Sequence, residues 1–260
     1  MQSMVRQEKF GSDMGLVHEA VVTGRKVGAS RSFWKGLAHD EQFFQEVMLV
    51  ARRFGYGGWF ISPAEQLELV KARNFERNWG FTAEDFFPLG EPPAWPDGDL
   101  CAVVLAPALK TLQETLEEAW LWAAEVQENN RRWDALLSDE KSLRLFTGKE
   151  HKRGLSWRVV DLGANWDKQN GIAPKDVRNP KSPDCEILIA AALFPNWIQA
   201  MDGVNVPYVW IPGLEVSVSG DPAWSDVPSL NWHRDDHEVG LNAAHCELRH
   251  RLWAVPAFRE

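Results

Sequence analysis

Val206-Pro207-Tyr208-Val209-Trp210-Ile211-Pro212-Gly213 is a short run of β-branched and aromatic residues closed by a Pro-Gly turn, and its reading decides the fold. Such a run, with Val216 and Val218 beyond the turn, predicts two brief strands. The pattern continues to the end of the chain: Leu230 to Trp232, Val239 to Ala244 and Leu252 to Phe258 are further short apolar segments separated by polar turns. From Val206 to Glu260 the chain therefore reads as strands and turns only. No fixed period repeats, which argues against a solenoid or propeller.

Working outward, Ser182-Pro183-Asp184 starts a helix through Ile187, Ala191 and Leu193, interrupted at Pro195 and resumed through Trp197 to Met201, with Gly203 ending it. Before it lies a polar stretch from Asn165 to Lys181, and before that Trp157, Val159 and Leu162 between Gly154 and Gly163 carry a strand signature. A module boundary is expected near Thr147 to Gly154.

Upstream of that boundary the period is helical. Apolar residues from Phe33 to Phe54 recur at helical spacing before Gly55-Tyr56-Gly57-Gly58. Ser62-Pro63-Ala64-Glu65 supplies an N-cap, a first-turn proline and a glutamate three after the cap, and Thr82-Ala83-Glu84-Asp85 repeats the idea before Pro88. After Pro107, Leu109, Leu112, Leu116, Ala119, Ala123 and Val126 predict a long helix reaching about Leu137, followed by a short one from Ser138 to Phe146. The expected class is α+β: a leader over residues 1–30, a mostly helical region over 31–150, and a module over 151–260 of short antiparallel strands with one or two helices.

Composition narrows the function classes. A chain of 260 residues buries a sizeable core without metal or disulfide staples. No apolar run approaches the roughly 20 residues that span a bilayer, and the start lacks the apolar middle of a secretory signal. Cys101, Cys185 and Cys246 are odd in number and widely spaced, which fits a reducing compartment, and the chain reads as cytoplasmic. A net charge of -9 without a Lys/Arg stripe disfavours nucleic acid. Fourteen tryptophans against two tyrosines point to heavily packed aromatic cores.

Four of the seven histidines fall between His233 and His250, among Asp235, Asp236, Glu238, Cys246, Glu247, Arg234, Arg249 and Arg251. Any site is sought in this window. His233-Arg234-Asp235 supplies a histidine and a carboxylate of an iron-binding facial triad, but only 25 residues follow Asp235 to provide the rest. His233, His237, His245 or Cys246, and His250 suit zinc by ligand type, without the paired short spacings of structural zinc sites. Cys246 as a nucleophile would have His245 on the opposite face of a strand. Gly55-Tyr56-Gly57-Gly58 lacks the lysine and context of a phosphate cradle. The bland alternative is a pair of solvated loops at the tips of successive hairpins, His233 to Glu238 and His245 to Arg251, emerging side by side.

The Val206 to Gly213 run, Trp224-Ser225-Asp226-Val227-Pro228, Leu230-Asn231-Trp232 and the ending Leu252-Trp253-Ala254-Val255-Pro256-Ala257-Phe258 together resemble proteins of C-type-lectin fold, and more specifically the variable proteins diversified by retroelements. In that family mutagenic reverse transcription randomises adenines in asparagine-type codons near the 3' end of the gene. Such codons never yield Lys, Gln, Met, Trp or Glu. Between Asn231 and Leu252 only Trp232, Glu238 and Glu247 fall outside the permitted set. No Glu-Pro-Asn or Gln-Pro-Asp triplet of calcium-dependent lectins is present, and Cys185 and Cys246 lack the setting of the formylglycine-generating relatives.

The resemblance implies a ligand-binding receptor: a lectin-like scaffold held by Trp210, Trp224, Trp232 and Trp253, displaying His233, Arg234, Asp235, Asp236, His237, Asn242, His245, Cys246, Arg249, His250 and Arg251 to a protein ligand. It calls for binding without turnover, with no cofactor, no nucleic acid and no membrane span. The competing expectation is a metal-binding protein or metalloenzyme built on 233–250. A third is an assembly protein that uses the helix after Pro107 for a partner.

Overall fold

The computed structural model describes residues 28–40, 60–96, 100–127, 129–132, 142–163, 172–217 and 224–259, with isolated positions between 21 and 47 and at 136. The chain forms two compact units, residues 1–50 and 51–260. In the first, helix α1 (Arg31–His39) starts at Ser30, whose hydroxyl accepts from Phe33 N at 3.3 Å. Asp40 turns extended and interrupts the helix expected over Phe33 to Phe54; Phe43 and Val47 beyond it are helical, and the rest of that stretch lies outside the described residues. The Gly55 to Gly58 stop and most of the expected leader lie outside the described residues.

The second unit opens as its sequence dictates. Helix α2 (Pro63–Arg77) carries the full capping box of Ser62 and Glu65, and α3 (Ala83–Phe86) that of Thr82 and Asp85. Strand β1 (Cys101–Ala108) follows, then helix α4 (Leu112–Glu125), capped by Thr111 and Glu114. Strands β2 (Asn129–Arg132), β3 (Leu143–Leu145) and β4 (Gly154–Asp161) lead to the short helix α5 (Pro174–Val177). Helices α6 (Cys185–Leu193) and α7 (Pro195–Ala200) reproduce the interruption expected at Pro195. The chain ends in strands β5 (Tyr208–Trp210), β6 (Leu214–Val216), β7 (Asp226–His233), β8 (Glu238–His245), β9 (Trp253–Ala254) and β10 (Ala257–Phe258).

Two sheets result. One has the order β1-β4-β10, all antiparallel; the other runs β2-β8-β7-β5-β9, with β6 on β7 and β3 on β6. Because β2 pairs β8 in parallel and β5 pairs β9 in parallel, the strands are mixed rather than simply antiparallel as expected. Helix α6 is apolar almost all round and therefore sits deep: Ile187, Leu188, Ile189, Ala190, Ala191 and Leu193 are buried where it packs on α4 and β1. The largest core takes in Val70, Val104, Leu116, Ile187, Trp197, Leu230 and Leu241, and so draws on residues from both sides of the expected boundary.

Four expectations are corrected here. The region 31–150 is not helical throughout: beside its helices it contributes β1, β2 and β3. The helix after Pro107 ends at Glu125 and not near Leu137, because Asn129 to Arg132 pairs with β8. The helix expected over Ser138 to Phe146 gives way to β3: Leu143 is buried, Arg144 turns outward to Glu215 at 2.9 Å, and the alternation suits the β6 edge. The chain does not divide near Thr147 to Gly154, because β1 pairs with β4 over eight residues and so joins the two sides in one ladder.

Candidate functional site

Strands β7 and β8 form a hairpin with eight registered pairs, from Asp226 opposite His245 to His233 opposite Glu238. Its tip is Arg234-Asp235-Asp236-His237, all four exposed, closed by His237 N donating to Arg234 O at 3.4 Å. His237 takes φ 50, the left-handed conformation that lets four residues reverse the chain. Arg234 reaches Asp202 at 3.3 Å, and Asn129 Nδ2 donates to Asp236 O at 2.9 Å.

Alternation separates the two faces of this hairpin. Leu230, Trp232, Val239 and Leu241 point into the large core. Asn231, His233, Gly240 and Asn242 lie on the other face, where the side chains form a connected row. Asn242 Nδ2 donates to Asn231 Oδ1 at 3.0 Å, and Asn231 Nδ2 donates to His233 Nε2 at 2.8 Å. Gly240 makes room for the row: a Cβ there would lie 2.7 Å from Asn231 Oδ1 and 3.1 Å from His233 Nε2. Arg131, exposed on β2, stands in register beside Gly240 and extends the polar strip.

Further down the same face a second, small core gathers Trp210, Val227, Cys246 and Val255, with Trp253 packed against it. Trp253 lies 4.9 Å from Trp210 and 5.3 Å from Tyr208, ring centre to ring centre. Cys246, expected among the exposed contacts, is buried in this cluster, its main chain held between Ser225 O at 2.7 Å and Lys175 N at 3.1 Å. Its thiol is packing, not display.

The second polar cluster is not a neighbour of the first, which corrects the expectation of two tips side by side. His233 to Glu238 and His245 to Arg251 sit at opposite ends of β8, roughly 23 Å apart at about 3.3 Å per residue. The far cluster is tied to α5 instead: Arg249 pairs with Asp176 and Lys175 with Glu247, both at 2.6 Å. His245 Nδ1 accepts from Glu247 N, and His250 Nδ1 from Leu252 N, each at 3.3 Å, while Arg251 is exposed. The carboxyl of Glu247 is held below its ordinary range by its hydrogen bond from Lys175.

This separation bears on the chemistry. His233 and His237 are at one end of the strand and His245, Cys246 and His250 at the other, and among the described residues no three His, Cys, Asp or Glu side chains converge as a metal would require. Nor does any helix among them have the length and apolarity to cross a membrane.

The sequence reading missed Asn231 as a partner of Asn242, although Ser229, Asn231 and His233 alternate with Pro228, Leu230 and Trp232 at the period of a strand. It also took Trp253 for core, whereas the ring is half-buried at the edge of the polar face. Compared with protein-family profiles, curated proteins and solved structures, the chain matches none.

Proposed function

We propose that the chain is a ligand-binding protein of the retroelement-diversified, lectin-like kind, and that it presents the β7–β8 tip and the polar face of that hairpin to a protein ligand. The observation that carries the reading is the division of labour within one hairpin. Arg234, Asp235, Asp236 and His237 are exposed, while Leu230, Trp232, Val239 and Leu241 beneath them are buried in the main core. A receptor whose contacts change must hold its backbone by groups that do not change, and exposed turn substitutions usually cost within about 0.5 kcal/mol.

His245, Arg249, His250 and Arg251 form a separate patch at the other end of β8, so a ligand touching both ends lies along the strip of Asn231, Asn242 and Trp253. Trp232, Glu238 and Glu247, which asparagine-type codons never yield, serve as framework. Trp232 is in the core and Glu247 holds Lys175, which supports that role.

Sequencing this locus with its flanking DNA across many clones tests the reading. The expected result is a near-copy of the segment encoding Asn231 to Phe258, differing at adenines, with substitutions concentrated on the exposed or half-buried codons 233–237, 245 and 249–251. Substitutions spread evenly over Trp232, Val239 and Leu241, with no second copy, would overturn it.

A further inference from the structure

The sheet β1-β4-β10 has one closed edge and one that is half open. On the β1 side the buried Gln66 acts as a strand in miniature: its Nε2 donates to Val103 O at 2.8 Å and its Oε1 accepts from Leu105 N at 2.9 Å. On the other side β10 covers only Asp161 and Val160, and Arg259 N adds a bond to Val159 O at 2.9 Å. In an antiparallel ladder successive residues direct their main-chain groups to alternate sides. Leu162 N bonds to β1 through Leu100 O, so even-numbered residues of β4 face β1 and odd-numbered ones face outward. Leu155 and Trp157 therefore turn their N–H and C=O groups toward an edge where no described residue meets them.

That edge borders a cleft of about 960 Å³ lined by β4, by the loop Gly148 to Arg153 and by Pro180 to Glu186. The volume is ample for several residues of extended chain. Its lining holds six cations, Lys149, Lys152, Arg153, Arg158, Lys181 and Arg259, against three carboxylates, in a chain of net charge -9. Arg153 and Arg259 are engaged with Asp85 and Asp161, and Lys149 with Asp184 at 2.6 Å. Lys152 and Arg158 make longer contacts, with Glu150 at 3.5 Å and Glu186 at 4.0 Å, and these two and Lys181 are exposed to solvent at the rim. The rings of Trp157 and Phe258 line the same cleft, and the Trp157 Nε1–H has no acceptor.

We propose that this cleft takes an extended acidic segment of a partner protein, which adds a strand to the open half of β4 in line with β10. Main-chain bonds to Leu155 and Trp157 supply the register, and the rim cations select carboxylates on the incoming strand. The occupant is not a second copy of the same edge, because two β4 edges would bring Arg158 and the rim lysines of both chains together. This site is distinct from the β7–β8 face, and neither needs the other.

The test uses the full chain and an eight-residue capped peptide alternating threonine and glutamate, followed by amide hydrogen exchange. The expected result is slower exchange at Leu155 and Trp157 with peptide present. Binding should weaken roughly tenfold or more when alternate peptide nitrogens are methylated, and again in the surface variant Lys152→Glu/Lys181→Glu. The threonine-lysine peptide should not protect these amides. Unchanged exchange at both amides, equal binding of the lysine peptide, or a dimer that protects these amides without peptide would each overturn the proposal.

Discussion

The side-chain amide of Gln66 is bonded to the main chain of Leu105 as a neighbouring strand would be, accepting its N–H at 2.9 Å while donating to Val103 O two residues back. One fully buried polar residue of α2 thus closes the edge of β1. Replacing it leaves a buried donor and a buried acceptor without partners, each costing about 1–3 kcal/mol. Gln66→Leu should therefore lower unfolding free energy by about 3 kcal/mol with an unchanged denaturant slope. A loss below about 1 kcal/mol would mean that β1 finds another partner.

What the sequence made legible follows from how local each signal is. The capping boxes at Ser62 and Thr82, the restart at Pro195 and the strand Gly154 to Asp161 are written in a few adjacent residues, and they form as read. Strand β1 was not readable in this way. Cys101 to Ala108 is an uninterrupted apolar run buried on both faces, and such a run has no period to separate strand from buried helix. Strand β2, Asn129 to Arg132, is wholly polar and exists through its pairing with β8, a partner more than a hundred residues away. At the candidate site the polar window itself was legible. So was the strand Val239 to Ala244 between its two clusters, within a residue of β8 at either end; tips on either side of one strand lie at its opposite ends, and the side-by-side placement failed because successive turns of a meander alternate between the two ends of a sheet.

Two glycines offer a direct comparison of backbone and side-chain crowding. A Cβ on Gly213 would lie 2.6 Å from the carbonyl oxygens of Ser182 and Pro183, main-chain atoms held by the Gly213 N to Pro183 O bond at 2.8 Å. Gly213→Ala must move backbone and should cost about 3 kcal/mol. A Cβ on Gly240 meets only the ends of Asn231, Asn242 and His233, which rotate away. Gly240→Ala should stay within about 1 kcal/mol of the parent, because the lost hydrogen bonds are offset by lower unfolded-state entropy. Side-chain amide NMR resonances of Asn231 and Asn242 should shift together in this variant, which reports the broken row.

Asp202 sets an acid limit on stability. Burial pushes its carboxyl up, but the N–H groups of Val206, Val204 and Asn205 outweigh burial and hold it well below the ordinary carboxylate range. With the folded value depressed, the stabilisation is present above the unfolded value of about 3.9 and is lost as pH falls through the lower folded value. Asp202→Asn should lower stability by about 2 kcal/mol near neutral pH, and the gap between variant and parent should narrow progressively as pH falls below about 4. A gap constant with pH would assign the effect to packing alone.

Glu186 works in the opposite sense, at the base of the cleft beside β4. Burial, with the Asp184 carboxylate close by, pushes its carboxyl up to about 7. The folded chain therefore holds a proton there that the unfolded chain has released. This acid contributes most below the unfolded value of about 4.3 and loses that contribution as pH rises through about 7. A glutamine keeps the acceptor that receives Asp184 N at 2.8 Å without acquiring charge. Glu186→Gln should thus match the parent near pH 5 and exceed it in stability near pH 8, read as the change in denaturant midpoint between the two conditions. An equal pH dependence in parent and variant would show that Glu186 is already ionised in the folded chain and that Lys149, paired with Asp184, neutralises both carboxylates.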